Sequence, residues 1–390
     1  MFSSRTPGAL AANAIARAVA ARRAQGLSVL DLTLANPTRA GLAYPARDIL
    51  DALDDARSLA YEPSAQGLLE AREAVAAHHL RQGYVIDPAH IVLAGSTSEA
   101  YGWLFKLLCG PGDEALIPRP SYPLFDCLAA LDSVVCREYS LAHEHGWPID
   151  FTSIEHALTP RTRAILLVNP NNPTGSFLKR DERSRLLALA ARHNVAIVSD
   201  EVFYDYASAP DPARVSMLAP QGDALVFTLS GLSKAAGLPQ MKLGWIHVAG
   251  PAPLRDEALE RLDWIADAYL PVSAPVQHAA RRWLARSQEI RAAICSRVEA
   301  SRAALESRLN AGGATRVLPS EGGWSAIVQV PRIRSEEEWA LQLLDRYGVL
   351  VQPGYFYDFS AEAFLVVSLL PTPEDVASGA DAVLELLKIL

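Results

Sequence analysis

Cysteine is scarce in this chain: four in 390 residues, at Cys109, Cys127, Cys136 and Cys295. None stands in a CxxC pair, which leaves neither a disulfide framework nor zinc-ligand spacing. Reduced thiols in a cytoplasmic protein are the expectation. Long hydrophobic runs are also lacking. Nothing approaches the roughly 18 apolar residues of a membrane span. The Ala-rich start is interrupted by Asn13 and Arg17, which denies it the unbroken core of a signal peptide and predicts a helix of the mature protein instead. Blocks of Lys and Arg are missing and the formal net charge is -8, which argues against nucleic acid and anionic membranes as partners. There is no internal repeat and no low-complexity linker. The two histidines of His143-Glu144-His145 alternate rather than share a helix face, so no metal is expected there, and none is implied elsewhere.

What is present is the composition of a globular protein, 50% hydrophobic and 21% charged, at a length that suits two packed domains. Short apolar runs at Ile91–Ala94, Glu114–Ile117, Ala164–Val168, Val195–Ser199, Leu225–Leu229 and Leu243–Val248 read as buried strands. Helical patterns such as Ser98–Cys109 and Asp181–His193 lie between them, and the alternation predicts an α/β sheet covered by helices. From about Val276 to Ala311 one or two helices are expected, followed by shorter strands at Trp324–Val330, Val349–Val351 and Phe364–Leu369. The spacing predicts a large α/β domain over 40–280 and a smaller α+β domain built from 1–39 and 281–390.

Four polar constellations sit where a strand ends, the edge at which open α/β sheets bind ligands. Gly95-Ser96-Thr97-Ser98 precedes a helix, whose start suits a phosphate and equally suits an ordinary Ser or Thr cap. Pro120-Ser121-Tyr122-Pro123 restrains a tyrosine that can stack on a flat ring or simply cover core. Asn169-Pro170-Asn171-Asn172-Pro173-Thr174-Gly175 is a stiff turn that can aim an amide donor. Asp200 closes an apolar strand and needs a cationic or hydrogen-bonding partner. Ser230-Gly231-Leu232-Ser233-Lys234 and Lys242 offer two lysines eight apart, one able to form an imine and the other to neutralise a phosphate. An exposed loop is the ordinary setting for either.

Together the NNPTG, SDE and SGLSK segments resemble the class I/II aminotransferases, in consistent order over nearly the whole chain. The resemblance implies the pyridoxal 5′-phosphate (PLP)-dependent transferase fold type I, with a mostly parallel central sheet in the large domain. It implies that Lys234 carries the cofactor as a Schiff base and then moves the substrate proton. Asp200 would hold the pyridine nitrogen protonated, Asn172 would bond the phenolic oxygen, and Tyr122 would stack on the ring. Ser96 and Thr97 would contact the phosphate, with Ser230, Ser233 and Lys242 as further candidates. Tyr61 would reach the neighbouring site of a homodimer. The activity implied is amino transfer between an amino acid or other amine and a 2-oxo acid by a ping-pong route.

The pattern departs from the family in four places. Phe203 stands where a tyrosine is usual, with Tyr204 beside it as a substitute. Gly231 replaces a serine, and Lys242 replaces an arginine, keeping charge but losing the bidentate fork. Val366 occupies the position of the arginine that grips the substrate α-carboxylate. Arg39, after Asn36, is a candidate replacement, and Arg119 a weaker one. Trp324 is expected either to line the substrate pocket or to belong to the small core. With that arginine missing, a C–S or other β-lyase or a decarboxylase on the same fold is the alternative, and a non-catalytic PLP-binding protein the third reading.

Overall fold

The computed structural model describes residues 2–7, 12–143, 146–219, 222–270, 272–311, 313–361 and 363–389. Glu144 and His145 of the His-rich run therefore lie outside the described residues. Seven strands form the main sheet: β1 (Ile91–Ala94), β2 (Glu114–Arg119), β3 (Val135–Ser140), β4 (Thr162–Val168), β5 (Ala196–Asp200), β6 (Val226–Gly231) and β7 (Gly244–Ala249). Their spatial order is β1-β7-β6-β5-β4-β2-β3. Only β7 runs against the rest, pairing antiparallel with both β1 and β6. The sheet is therefore mostly parallel, and the ends of six strands and the start of β7 meet at one edge.

Helices on both faces explain why the strands read as continuous apolar runs. Helices Thr97–Leu108 and Ala252–Tyr269 cover one face, burying Trp103, Leu104, Leu262 and Ala266 against Val92, Leu166 and Phe227. Helices Phe151–Ala157 and Arg180–His193 cover the other, burying Ile154, Leu186 and Leu189 against Leu116, Ile165 and Ile197. The sequence reading missed β3. It is an edge strand with only Tyr139 buried, so it lacks the apolar run that marks its neighbours.

A second, four-stranded antiparallel sheet joins Ser325–Gln329 and Phe364–Ser368 with the short strands Arg316–Val317 and Gln352–Pro353. Helices Ser287–Leu309, Glu336–Tyr347 and Pro373–Lys388 pack with it around Trp339, Leu343, Leu365 and Val376. Helix Glu336–Tyr347 begins with a capping box in which Ser335 and Glu338 satisfy each other's backbone N–H groups. The stretch from Val276 to Ala311 holds two helices, Ala274–Ala285 and Ser287–Leu309. The start of the chain returns to this region: Leu30–Asp31 pairs in parallel with Val349–Leu350. No helix of the described residues is long and apolar enough to cross a membrane.

The two sheets meet at the Asn-Pro turn. Gly175 adopts φ +71°, and a β-carbon there would collide with the Ser320 hydroxyl and the Gly322 carbonyl. Glycine is required both for the left-handed backbone and for the close approach. Gly175→Ala is expected to cost about 2 kcal/mol or more, read as a lower Tm and a lower urea midpoint.

Candidate active site

At the shared edge lies a cavity of about 360 Å³. Lys234 stands in the four-residue helix Leu232–Ala235 that opens directly after β6, and Asp200 is the last residue of β5. Because β5 and β6 are neighbours, with Asp200 in register with Leu229, lysine and aspartate come to the same opening. Ser96, Thr97, Tyr122, Asn172, Ser233 and Lys242 line it too. Eight of the candidate site residues thus share one cavity, and each leaves the sheet from the same edge.

Asp200 is held at both oxygens: Oδ1 accepts the Val202 N–H at 3.0 Å and Oδ2 accepts the Tyr101 hydroxyl at 3.2 Å. Burial raises its carboxyl to about 6, against the opposing pull of those bonds and of Lys234. Burial likewise lowers the Lys234 ammonium, with Asp200 pulling it back up. Among the described residues the Lys234 Nζ has no hydrogen-bond partner; it lies 5.5 Å from the Phe203 ring and 5.3 Å from the Trp324 ring. An amine so deprived of water is more readily neutral, the form that attacks a carbonyl.

Asn172 Oδ1 accepts the Ser325 hydroxyl at 3.3 Å. Its amide nitrogen is thereby left as the end that can donate into the cavity. Helix Thr97–Leu108 starts at the cavity wall. Ser96 Oγ caps it by accepting the Glu99 N–H at 3.2 Å, and Glu99 Oε2 takes the Gly95 N–H at 2.7 Å. The N–H groups of Thr97 and Ser98, the first two residues of the helix, have no partner within it. With the helix dipole and the exposed Lys242 ammonium they form an anion cradle. Gly244 lets this cradle lie tight against the sheet, since a β-carbon there would come within 2.9 Å of the Ser96 carbonyl carbon.

Other candidates fall outside the cavity lining. Ser230 is buried in β6. The Tyr204 hydroxyl meets that of Tyr84 at 2.7 Å and its ring packs on Phe177, so it does not replace the tyrosine absent at Phe203, which itself lines the cavity. Arg119 is not free for a substrate: it is buried and lies within 3.2 Å of Asp126, Glu138 and Asp358. Val366 is a buried core residue paired with Ile327 and Gln352. Trp324 is buried edge-on to Phe203 and Tyr206, serving the core while its ring faces the Lys234 ammonium. Asn36 caps the turn Pro37–Arg39 by accepting the Thr38 N–H, and Arg39 projects from it, exposed and without a partner among the described residues. Tyr61 is 82% exposed and lines a different depression, with Leu270 and Gln277. Tyr101 was not anticipated; only its place one turn into the helix, facing Asp200, marks it. Among the described residues no cluster of His, Cys, Asp and Glu is placed to hold a metal.

The donor set fits PLP on the chemistry of its parts: an unpaired buried amine for the aldehyde, an acid for the ring nitrogen, an amide donor for the phenolic oxygen and a helix start for the phosphate. The raised Asp200 carboxyl has a consequence for the cofactor-free protein. Its folded pKa exceeds its unfolded value, so this contribution to stability is present at low pH and is lost as pH rises from about 4 through about 6. Asp200→Asn is expected to remove that component from a Tm-against-pH series; identical pH slopes in the two proteins would count against it.

Three comparisons agree with this geometry. The family model for aminotransferase class I and II matches residues 28–383. The alanine aminotransferase of Mycobacterium tuberculosis (strain ATCC 25618 / H37Rv) is 30% identical over 373 residues, covering 92% of this chain and 85% of that protein. The glutamate-pyruvate aminotransferase AlaA of Escherichia coli (strain K12) is 30% identical over 267 residues, 68% of this chain and 66% of its own. Among solved structures, the alanine aminotransferase from Pyrococcus furiosus superposes with a TM-score of 0.91 over the full length of both chains at 24% identity, a likeness of fold. The chain belongs to the aminotransferase class I and II family, and its activity is the transfer of amino groups.

Proposed function

We propose that this transaminase binds PLP in the cavity between Lys234 and Asp200 and exchanges the amino group of a small amino acid for the oxo group of a 2-oxo acid. The observation that carries the reading is the buried, unpaired Lys234 amine sharing one opening with the Asp200 carboxyl and a helix N-terminus. The bound cofactor supplies a ring that accepts the electrons released at the amine-bearing carbon. The protein's part is to bind, orient and move protons. Lys234 Nζ would hold the aldehyde and, once the substrate amine has displaced it, would be free to take the proton from the substrate carbon and return it on the cofactor side. Asp200, steadied by Val202 and Tyr101, would keep a proton on the ring nitrogen by charge. Asn172 would donate to the phenolic oxygen, while Thr97, Ser98 and Lys242 would hold the phosphate. Tyr122, 45% exposed at the mouth, covers the ring face.

The substrate carboxylate needs a cation, because burying it unpaired is costly. Among the described residues lining the cavity only Lys234 and Lys242 are cationic, and both have other work. Arg297 is bonded to the carbonyls of Ala40 and Leu370, and Arg302 to that of Ser325. Arg39 is uncommitted, four residues beyond the lining residue Ala35, and we assign it the carboxylate grip. The proposal includes a cytoplasmic homodimer in which the exposed Tyr61 reaches the partner's phosphate. It also includes the division of the chain into 40–280 and 1–39 with 281–390. Contacts between helices Leu69–Arg81 and Ala274–Ala285, and between Ser287–Leu309 and Pro373–Lys388, support a boundary near there.

Borohydride reduction of the loaded protein is expected to fix a pyridoxyl group on Lys234, found by peptide mapping, and Lys234→Ala to lower turnover by about a thousandfold or more. A label elsewhere, or full turnover in the variant, refutes the assignment. Arg39→Ala is expected to raise KM for amino acid and 2-oxo acid alike by about tenfold or more with little change in the half-reaction with an amine that lacks a carboxylate. Unchanged KM values would remove Arg39 from the site.

A further inference from the structure

Lys234 is aimed by its backbone, and that backbone is held from outside its own helix. Helix Leu232–Ala235 is only four residues long, and the N–H groups of Ala236, Gly237 and Leu238 close its end on the Leu232 and Lys234 carbonyls. Two tyrosines add side-chain donors from distant segments, one on Lys234 itself and one on Gly237 just beyond the helix. The Tyr206 hydroxyl donates to the Lys234 carbonyl at 2.7 Å, and the Tyr44 hydroxyl to the Gly237 carbonyl at 2.8 Å. Tyr206 is buried, and its ring stands edge-on to Trp324 at 5.0 Å and to Phe203 at 6.3 Å. Those are the same two rings that face the Lys234 ammonium.

Tyr206 is itself fixed from behind. The preceding Asp205 accepts the Arg291 guanidinium at 2.6 Å and the Gln82 amide at 2.8 Å, and faces His78 Nε2 at 3.5 Å. Burial pushes the Asp205 carboxyl up, but His78 and Arg291 outweigh it and hold the group well below the usual carboxylate range. Gln82 also meets His79 Nδ1 at 2.7 Å, and Trp245 Nε1 donates to His79 Nε2 at 3.0 Å. Burial drives His79 down to about 3, so it stays neutral, its Nδ1–H donating to Gln82 Oε1 and its Nε2 accepting from Trp245. The turn that follows Asp200 is thus tied to the end of helix Leu69–Arg81 and to helix Ser287–Leu309, and β7 braces the first of these through Trp245 and His79.

We propose that Tyr206 is a positioning residue for amino transfer: its hydroxyl sets the direction of Lys234, and Asp205, tied to Arg291, Gln82 and His78, keeps that hydroxyl in place. This rests on the reading of Lys234 as the cofactor-binding lysine. A hydrogen bond in a dry environment holds a lysine more narrowly than packing does, and loss of direction costs rate rather than affinity.

Tyr206→Phe keeps the ring and removes only the donor. Three quantities are read on parent and variant: borohydride label at Lys234, the rate at which cofactor-free protein forms that label after PLP is added, and steady-state kcat and KM. The expected result is full label on Lys234 in both proteins. In the variant the labelling rate and kcat fall about tenfold, the scale of one lost hydrogen bond, with KM within about twofold. Asp205→Asn, which loosens the same turn without altering the tyrosine, is expected to move both rates in the same direction by less. Tyr44→Phe, acting three residues further along, is expected to leave the labelling rate near the parent's. Parent rates in Tyr206→Phe and Asp205→Asn, with full label, overturn the positioning role alone. Absence of label on Lys234 in the parent overturns the reading beneath it as well. Should Tyr206→Phe fail to fold, Asp205→Asn decides by the same rates.

Discussion

An amine and a carboxyl group, both short of water and both facing one opening, set the terms for everything else in this protein. Lys234 and Asp200 come from adjacent parallel strands, and their nearness follows from the register that pairs Asp200 with Leu229. Each group suffers from burial and each relieves the other in part. That balance leaves the lysine ready to lose its proton and the acid ready to pair with a protonated ring nitrogen. The remaining architecture surrounds this pair: strand ends deliver Asn172 and Tyr122, a helix start delivers the anion cradle, and Gly244 allows that cradle to lie close.

Much of this was legible in the amino-acid sequence because buried parallel strands leave continuous apolar runs and polar residues stand out where they stop. Six of the seven sheet strands carry that mark. β3 does not, since an exposed edge strand has no need of it. The residues that line the cavity were legible as motifs, but the contacts behind them were not. Tyr101, Tyr206 and Asp205 act through contacts between segments far apart in the chain, and no local pattern announces such contacts. Tyr204 shows the opposite error. It neighbours the right position, yet alternation in the turn sends its hydroxyl to Tyr84.

The replacement at Val366 changes how the two sheets share the work. The face of the small sheet that carries Ser325, Ile327, Val366 and Ser368 bears no charge at those positions. It contributes shape and a hydroxyl that orients Asn172, not a fixed cation. In our proposal the cation comes from a loop, that of Arg39.

The central claim is that Asp200 keeps the ring nitrogen of a bound cofactor protonated while Lys234 holds its aldehyde. Nuclear magnetic resonance of protein reconstituted with cofactor isotopically labelled at that nitrogen tests it most directly. The account predicts a protonated-ring signal in the parent that moves to the neutral-ring position when Asp200 is replaced by Ala. A neutral ring in the parent, or a signal indifferent to residue 200, contradicts it.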